Sequence, residues 1–149
     1  MRRTPALVAF ACTAATMLLP TAPAQADAEH EAIEALNEVR RSHGVRPLRA
    51  ADGLNRSSGR YARRMIEGDF FGHAARIDVD GGFRSAGETI AWHSGWDAQP
   101  RKTIHRWMNS PPHRAVLLSS RFNWVGMGLA RGRLGSRMAT TWVAHVGSR

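Results

Sequence analysis

The chemistry open to this chain rests mainly on histidine, with seven His residues among 149. His73 and His113 stand beside small or turn-forming residues, in Phe71-Gly72-His73-Ala74 and Ser110-Pro111-Pro112-His113. Side chains at such element boundaries commonly project into clefts. Ser110 reads as the N-cap of a short helix with Pro111 at N1, so His113 falls in its first turn. There the helix dipole and the free backbone N–H groups disfavour a positive imidazole. A neutral imidazole is ready to hold a metal or accept a proton. Glu88, in Gly87-Glu88-Thr89-Ile90, would complete such a site as carboxylate ligand or base. His30, His43, His93, His105 and His145 read as surface or internally satisfied histidines. Sequence separation alone does not bring His73, Glu88 and His113 together; a fold has to do that.

Other chemistries are excluded. There is no HExxH helix, no GxSxG elbow, no P-loop and no GxGxxG following a strand. The one cysteine, Cys12, lies in an N-terminal stretch that reads as a secretion signal. Arg2 and Arg3 open that stretch, Ala6 to Leu19 are almost wholly apolar, and Pro20 breaks the run. Ala24-Gln25-Ala26 then offers small residues for cleavage. Residues 1–26 are therefore expected to be a removed signal peptide, and 27–149 one secreted domain without disulfides, thiol catalysis or a transmembrane anchor. The net charge is +9, of which Arg2 and Arg3 carry two units, and Lys102 is the only lysine. Such a balance suits anionic lipid or cell-wall polymers. Arg56, Arg60, Arg63 and Arg64 share one helix face, a pattern that a merely solvated face also gives. No nucleic-acid recognition fold is visible, so no specific nucleic-acid partner is expected.

The elements that must position these residues follow from periodicity. A helix is expected over Ala28–His43, with Ala32, Ile33, Leu36 and Val39 on one face, Glu31, Glu34 and Glu38 on the other, and Gly44 and Pro47 ending it. A second runs from an Asp52 N-cap to about Gly68, with Leu54, Ser58, Tyr61, Ala62 and Met65 inward. Asp69 to Gly95 is glycine-rich and reads as irregular apart from a helical turn around Glu88–Ala91. A third helix starts near Pro100 and carries Ile104, Trp107 and Met108 on one side. Asn123–Ala130 and Met138–Val146 read as a hairpin joined through Arg131–Ser136. Helices come first and strands last, which is an α+β arrangement.

In this order and spacing the motifs resemble the CAP superfamily of cysteine-rich secretory, antigen five and pathogenesis-related proteins, in its bacterial branch. The resemblance is carried by Leu36-Asn37-Glu38-Val39-Arg40, Asp69-Phe70-Phe71-Gly72-His73, Ala86-Gly87-Glu88-Thr89-Ile90-Ala91, and Trp107 to Arg114 with Gly126-Met127-Gly128. It implies an α-β-α sandwich with a central antiparallel sheet flanked by helices, and a cleft holding two histidines and two glutamates. By position His73 and His113 look like the histidines and Glu88 like the first glutamate. Ser110 stands where animal and plant members have the second, so a catalytic carboxylate pair lacks one member. The link from Ala74 to Ser85 is also short, and Thr140 to Val146 lacks the family's usual glutamine.

Three functions are compatible with this. The first is a non-enzymatic extracellular binding module for a lipid, other amphiphile or partner, in a cleft lined by Phe70, Phe71, Trp92 and Trp96, residues that plain core packing would equally use. The second is a metal-dependent hydrolase with zinc on His73 and His113 and Glu88 activating water. The third is a cationic binder of anionic wall or membrane polymers through the arginine stripe.

Overall fold

The computed structural model describes residues 22–149, in the order α1 (Ala22–Ser42), β1 (Arg49–Ala50), α2 (Asp52–Glu67), β2 (Ser85–Ser94), α3 (Pro100–Met108), α4 (Pro111–Leu117), β3 (Trp124–Leu134) and β4 (Arg137–Ser148). Most of the expected signal peptide lies outside the described residues. The first helix begins at Ala22, ahead of the expected Ala28, and passes through Ala26 and Asp27. Its extra turn is seated on β3, because the Gln25 amide donates to the Leu129 carbonyl at 3.0 Å.

β3 and β4 form a long hairpin, and β2 pairs antiparallel with the other side of β4. β1 adds a two-residue parallel edge to β3, giving the order β1-β3-β4-β2. The hairpin turn is tighter than expected: Leu134 pairs with Arg137, and Gly135 supplies the positive φ of 60° that the turn needs. The helical turn expected at Glu88–Ala91 is instead the middle of β2. Its local glycine and polar composition is overridden by a ten-residue ladder to β4, in which Thr89 and Ile90 face Ala144 and Val143. Asp52 is likewise not the N-cap of α2; Ala51 holds that position, and Asp52 sits in the first turn, where its charge meets the helix dipole.

Period-two alternation splits the core in two. Val125, Met127 and Leu129 of β3, with Trp142, Ala144 and Val146 of β4, pack against α1, α3 and α4. Ala130, Val143 and Ile90 face the opposite way, against Ala62 and Met65 of α2. The result is an α-β-α sandwich, with α2 alone on one face. Two indole N–H groups pin α3 and the segment before it to the sheet, Trp107 to the Ile90 carbonyl and Trp142 to the Ala98 carbonyl.

Close approach of α2 to β3 sets up everything that follows. A Cβ at Gly126 would stand 2.1 Å from the Leu54 carbonyl carbon, and one at Gly128 2.2 Å from the Gly59 nitrogen. Helix backbone therefore rests directly on strand backbone, and Ser58 Oγ reaches the Gly126 carbonyl at 3.0 Å. This contact presses the serines of α2 into the sheet.

Candidate functional site

Glu88 lies directly across the ladder from His145, both on the sheet face turned toward α2. Its two carboxylate oxygens are fully used. Oε1 accepts from His73 Nδ1 at 2.8 Å and from the Ala74 backbone N–H at 3.0 Å. Oε2 accepts from His145 Nε2 at 3.0 Å. Behind His145, Nδ1 lies 2.7 Å from the Ser57 hydroxyl of α2. Three elements and the loop after α2 thus meet in one hydrogen-bonded chain, Ser57–His145–Glu88–His73. The loop carrying His73 is held by Tyr61, whose hydroxyl donates to the Gly72 carbonyl at 2.8 Å.

The fold brings His113 to the same place. It stands in the first turn of α4, and its ring centroid lies 6.3 Å from that of His73. With His73 Nδ1 turned to Glu88, its Nε2 has no hydrogen-bond partner among the described residues. Ser110 is the N-cap of α4, as expected, but makes no side-chain capping bond and no hydrogen bond to the cluster.

Burial is the largest single influence on the Glu88 carboxyl and opposes its ionisation. The hydrogen bonds from His145, the Ala74 N–H and His73 together outweigh it, holding the group below its ordinary value. Glu88 is therefore an anion at neutral pH. His113 is also held below its ordinary value, first by burial and then by the neighbouring His73, which for a base favours the neutral form. It is kept neutral, the state that the helix-start position suggests.

A cavity of about 660 Å³ opens between α2 and the loop after it. Ser57 and His73, the two ends of the chain, both line it, with Tyr61 and Phe70 as aromatic walls, Arg60, Arg64 and Arg76 as cations and Asp78 as the one carboxylate. Phe70 is the one member of the expected aromatic set on this wall; Phe71 and Trp96 are exposed and Trp92 is half-buried, so none of the four belongs to the core. All four arginines of the α2 stripe are exposed, and Asp80 binds two of them, Arg56 at 3.4 Å and Arg60 at 3.0 Å.

Sequence reasoning missed His145 and Ser57. A polar residue in phase with Thr141 and Val143, on a strand whose other phase is Trp142, Ala144 and Val146, is the signal that marks His145 as buried and partnered.

Fold and site together are those of a two-histidine cleft protein of the sandwich type. The family model described as the cysteine-rich secretory protein family, CAP, matches residues 33–146, and the chain belongs to that family. It is 28% identical over 118 residues to the uncharacterized protein YkwD of Bacillus subtilis, covering 72% of this chain and 45% of that one. It is 30% identical over 78 residues to the human Golgi-associated plant pathogenesis-related protein 1, covering 52% of this chain and 47% of that one. The crystal structure of an extracellular SCP-domain protein from Bacillus anthracis superposes with a TM-score of 0.70 at 18% identity, over 89% of this chain and 45% of that one. The chain thus spans about half the length of the curated relatives it matches. Among the described residues no helix is long and apolar enough to cross a membrane.

Proposed function

We propose that this CAP domain is a secreted binding module, released from residues 1–26, that takes an anionic amphiphile into the cavity beside α2. One observation carries the reading: a cavity of about 660 Å³ combines aromatic walls, Tyr61 and Phe70, with Arg64 and Arg76. That volume is in the usual range for small-molecule sites. Among the described residues no carboxylate lies within salt-bridge distance of either arginine. A carboxylate or phosphate head would meet two unbridged guanidinium groups, and its chain would lie along the rings. Wall or membrane polymers would use the same charge, but Asp80 already engages Arg56 on the exposed stripe, and also Arg60, which the stripe shares with the cavity wall.

A dansyl-labelled medium-chain fatty acid tests this. Saturable, blue-shifted emission is expected, weakened about tenfold by Arg64→Ala with Arg76→Ala, the scale of one charge-assisted contact. Equal competition by the uncharged alcohol of the same chain length would overturn the reading.

A second reading, zinc held by His73 and His113, is favoured by the 6.3 Å ring separation and by Glu88 behind His73 Nδ1. The donors fit a two-nitrogen site with open positions, in which Glu88 orients His73 as carboxylates behind metal-bound histidines do. They do not assemble a third protein ligand: among the described residues no cluster of three His, Cys, Asp or Glu could hold an ion. A bound zinc would supply Lewis acidity to a water or carbonyl oxygen. Native mass spectrometry with added zinc is expected to give a one-to-one adduct lost in both His73→Ala and His113→Ala. An adduct indifferent to both substitutions sinks the reading.

A further inference from the structure

We propose that Ser57 is a nucleophile, that His145 is its general base, and that the cavity beside α2 turns over carboxylic esters at the Ser57 hydroxyl. Three observations carry this. The hydroxyl stands 2.7 Å from His145 Nδ1, within the reach a nucleophile and its base require. His145 is in turn oriented by a carboxylate, Glu88, 3.0 Å from Nε2. Ser57 is 3 % exposed and is among the residues lining the cavity, which is therefore the side from which a substrate would reach the hydroxyl.

The hydrogen-bond direction follows from the acceptors. Glu88 accepts from Nε2, so that nitrogen carries the ring proton and Nδ1 presents its lone pair to Ser57. The serine hydroxyl has one proton and two acceptors, the Leu54 carbonyl at 3.0 Å and Nδ1 at 2.7 Å, the shorter contact. A serine, a histidine and a glutamate are thus in line, with the imidazole turned end for end relative to the serine-protease arrangement; such sites are recognised by geometry and roles rather than by sequence position.

In the reaction, Ser57 Oγ adds to the ester carbonyl carbon while its proton passes to His145 Nδ1. The carbonyl oxygen becomes an oxyanion, and Arg64, two helical turns from Ser57 on the same face of α2 and lining the same cavity, is the unbridged cation beside it. Collapse breaks the bond to the alkoxy group, which leaves with the proton from Nδ1. Water then adds to the acyl-serine by the same proton route, releasing the acid and restoring Ser57. Glu88 is a positioning residue here, holding the ring and its tautomer.

The test is independent of amphiphile binding, because a small probe needs neither Arg64 nor Arg76 to enter. The purified protein is treated with a short-chain alkyl fluorophosphonate and examined by intact mass and peptide mapping. A single adduct on Ser57 is expected, absent in Ser57→Ala and formed about 100-fold more slowly in His145→Gln, the scale of general-base assistance. An unmodified Ser57 in the folded wild-type protein overturns the proposal, whether or not His145→Gln folds. So does an equal labelling rate in folded His145→Gln. In case that variant unfolds, Ser57→Cys gives a second measurement on a chain whose only other cysteine is Cys12. Alkylation of the introduced thiol at the rate of a free thiol or faster supports an accessible, base-assisted position, and protection of it until unfolding refutes one.

Discussion

Arg40→Met is expected to lower stability by about 4 kcal/mol, seen as a fall of roughly 15 °C in Tm. Arg40 is wholly buried, and its partners are backbone carbonyls rather than carboxylates. Nε donates to the Arg46 carbonyl at 2.8 Å, and the two terminal nitrogens donate to the carbonyls of Leu117, Ser119 and Phe122. Burial alone draws the guanidinium below its ordinary pKa, yet an arginine so far above neutrality stays charged. Methionine fills much of the volume and leaves four carbonyls from three segments without a donor. Two of those segments are the turn after α1 and the C-terminal end of α4, where a cation also answers the helix dipole. Because α4 carries His113, the damage should reach the site as well as the melting curve. Arg40→Lys should recover only part of the loss, since a single ammonium cannot span the same set of acceptors. Urea unfolding measures this directly, and a change below about 1 kcal/mol would show that the carbonyls find other donors.

Glu88→Gln should cost about 3 kcal/mol near neutral pH, although it changes one atom. The carboxylate takes three donors from two segments, and the amide must turn an N–H₂ group against at least one of them. The pH dependence has a definite sign. Because the folded state holds this carboxyl below its ordinary 4.5, the stabilisation is present above that pH. It is lost as pH falls below 4.5 and through the lower folded value. The titratable groups facing Glu88 are His73 and His145, with Tyr61 near enough to have its own pKa raised by burial and by the Glu88 charge. Wild type and Glu88→Gln should therefore converge in stability below pH 4.5 and diverge above it. Parallel curves across that range would mean that the charge contributes nothing and only shape matters.

The helices were legible where apolar spacing was regular and ends were punctuated, as in α3 with Pro100 at its start and in the stop at Gly44 and Pro47 after α1. β2 was not, because Gly87, Glu88 and the flanking small residues carry little strand propensity, and only the partner β4 makes a strand of them. The same distinction holds for the site. His73 and His113 stood out by their places at element boundaries, with Glu88 as their candidate partner, but their convergence depends on a fold that no local pattern encodes. That Arg40, the last residue of Leu36-Asn37-Glu38-Val39-Arg40, is buried among carbonyls more than 70 residues away is invisible locally. Ser57 was passed over for Ser58, its neighbour on the same helix. Both are buried, because the glycines at 126 and 128 let the helix backbone settle onto the strand.

β4 can be regarded as a strand with a reading frame. His145 belongs to the polar chain under α2, while Ala144 and Val146 on either side belong to the dry half against α1 and α3. Inserting or deleting one residue ahead of them would place a valine or an alanine against the Glu88 carboxylate and drive the imidazole into hydrocarbon, so both halves would fail in one step. New chemistry can therefore enter this strand only by exchange at alternate positions. Changes of length are expected instead in the exposed part of the loop after Ala74, where no strand frame has to be kept.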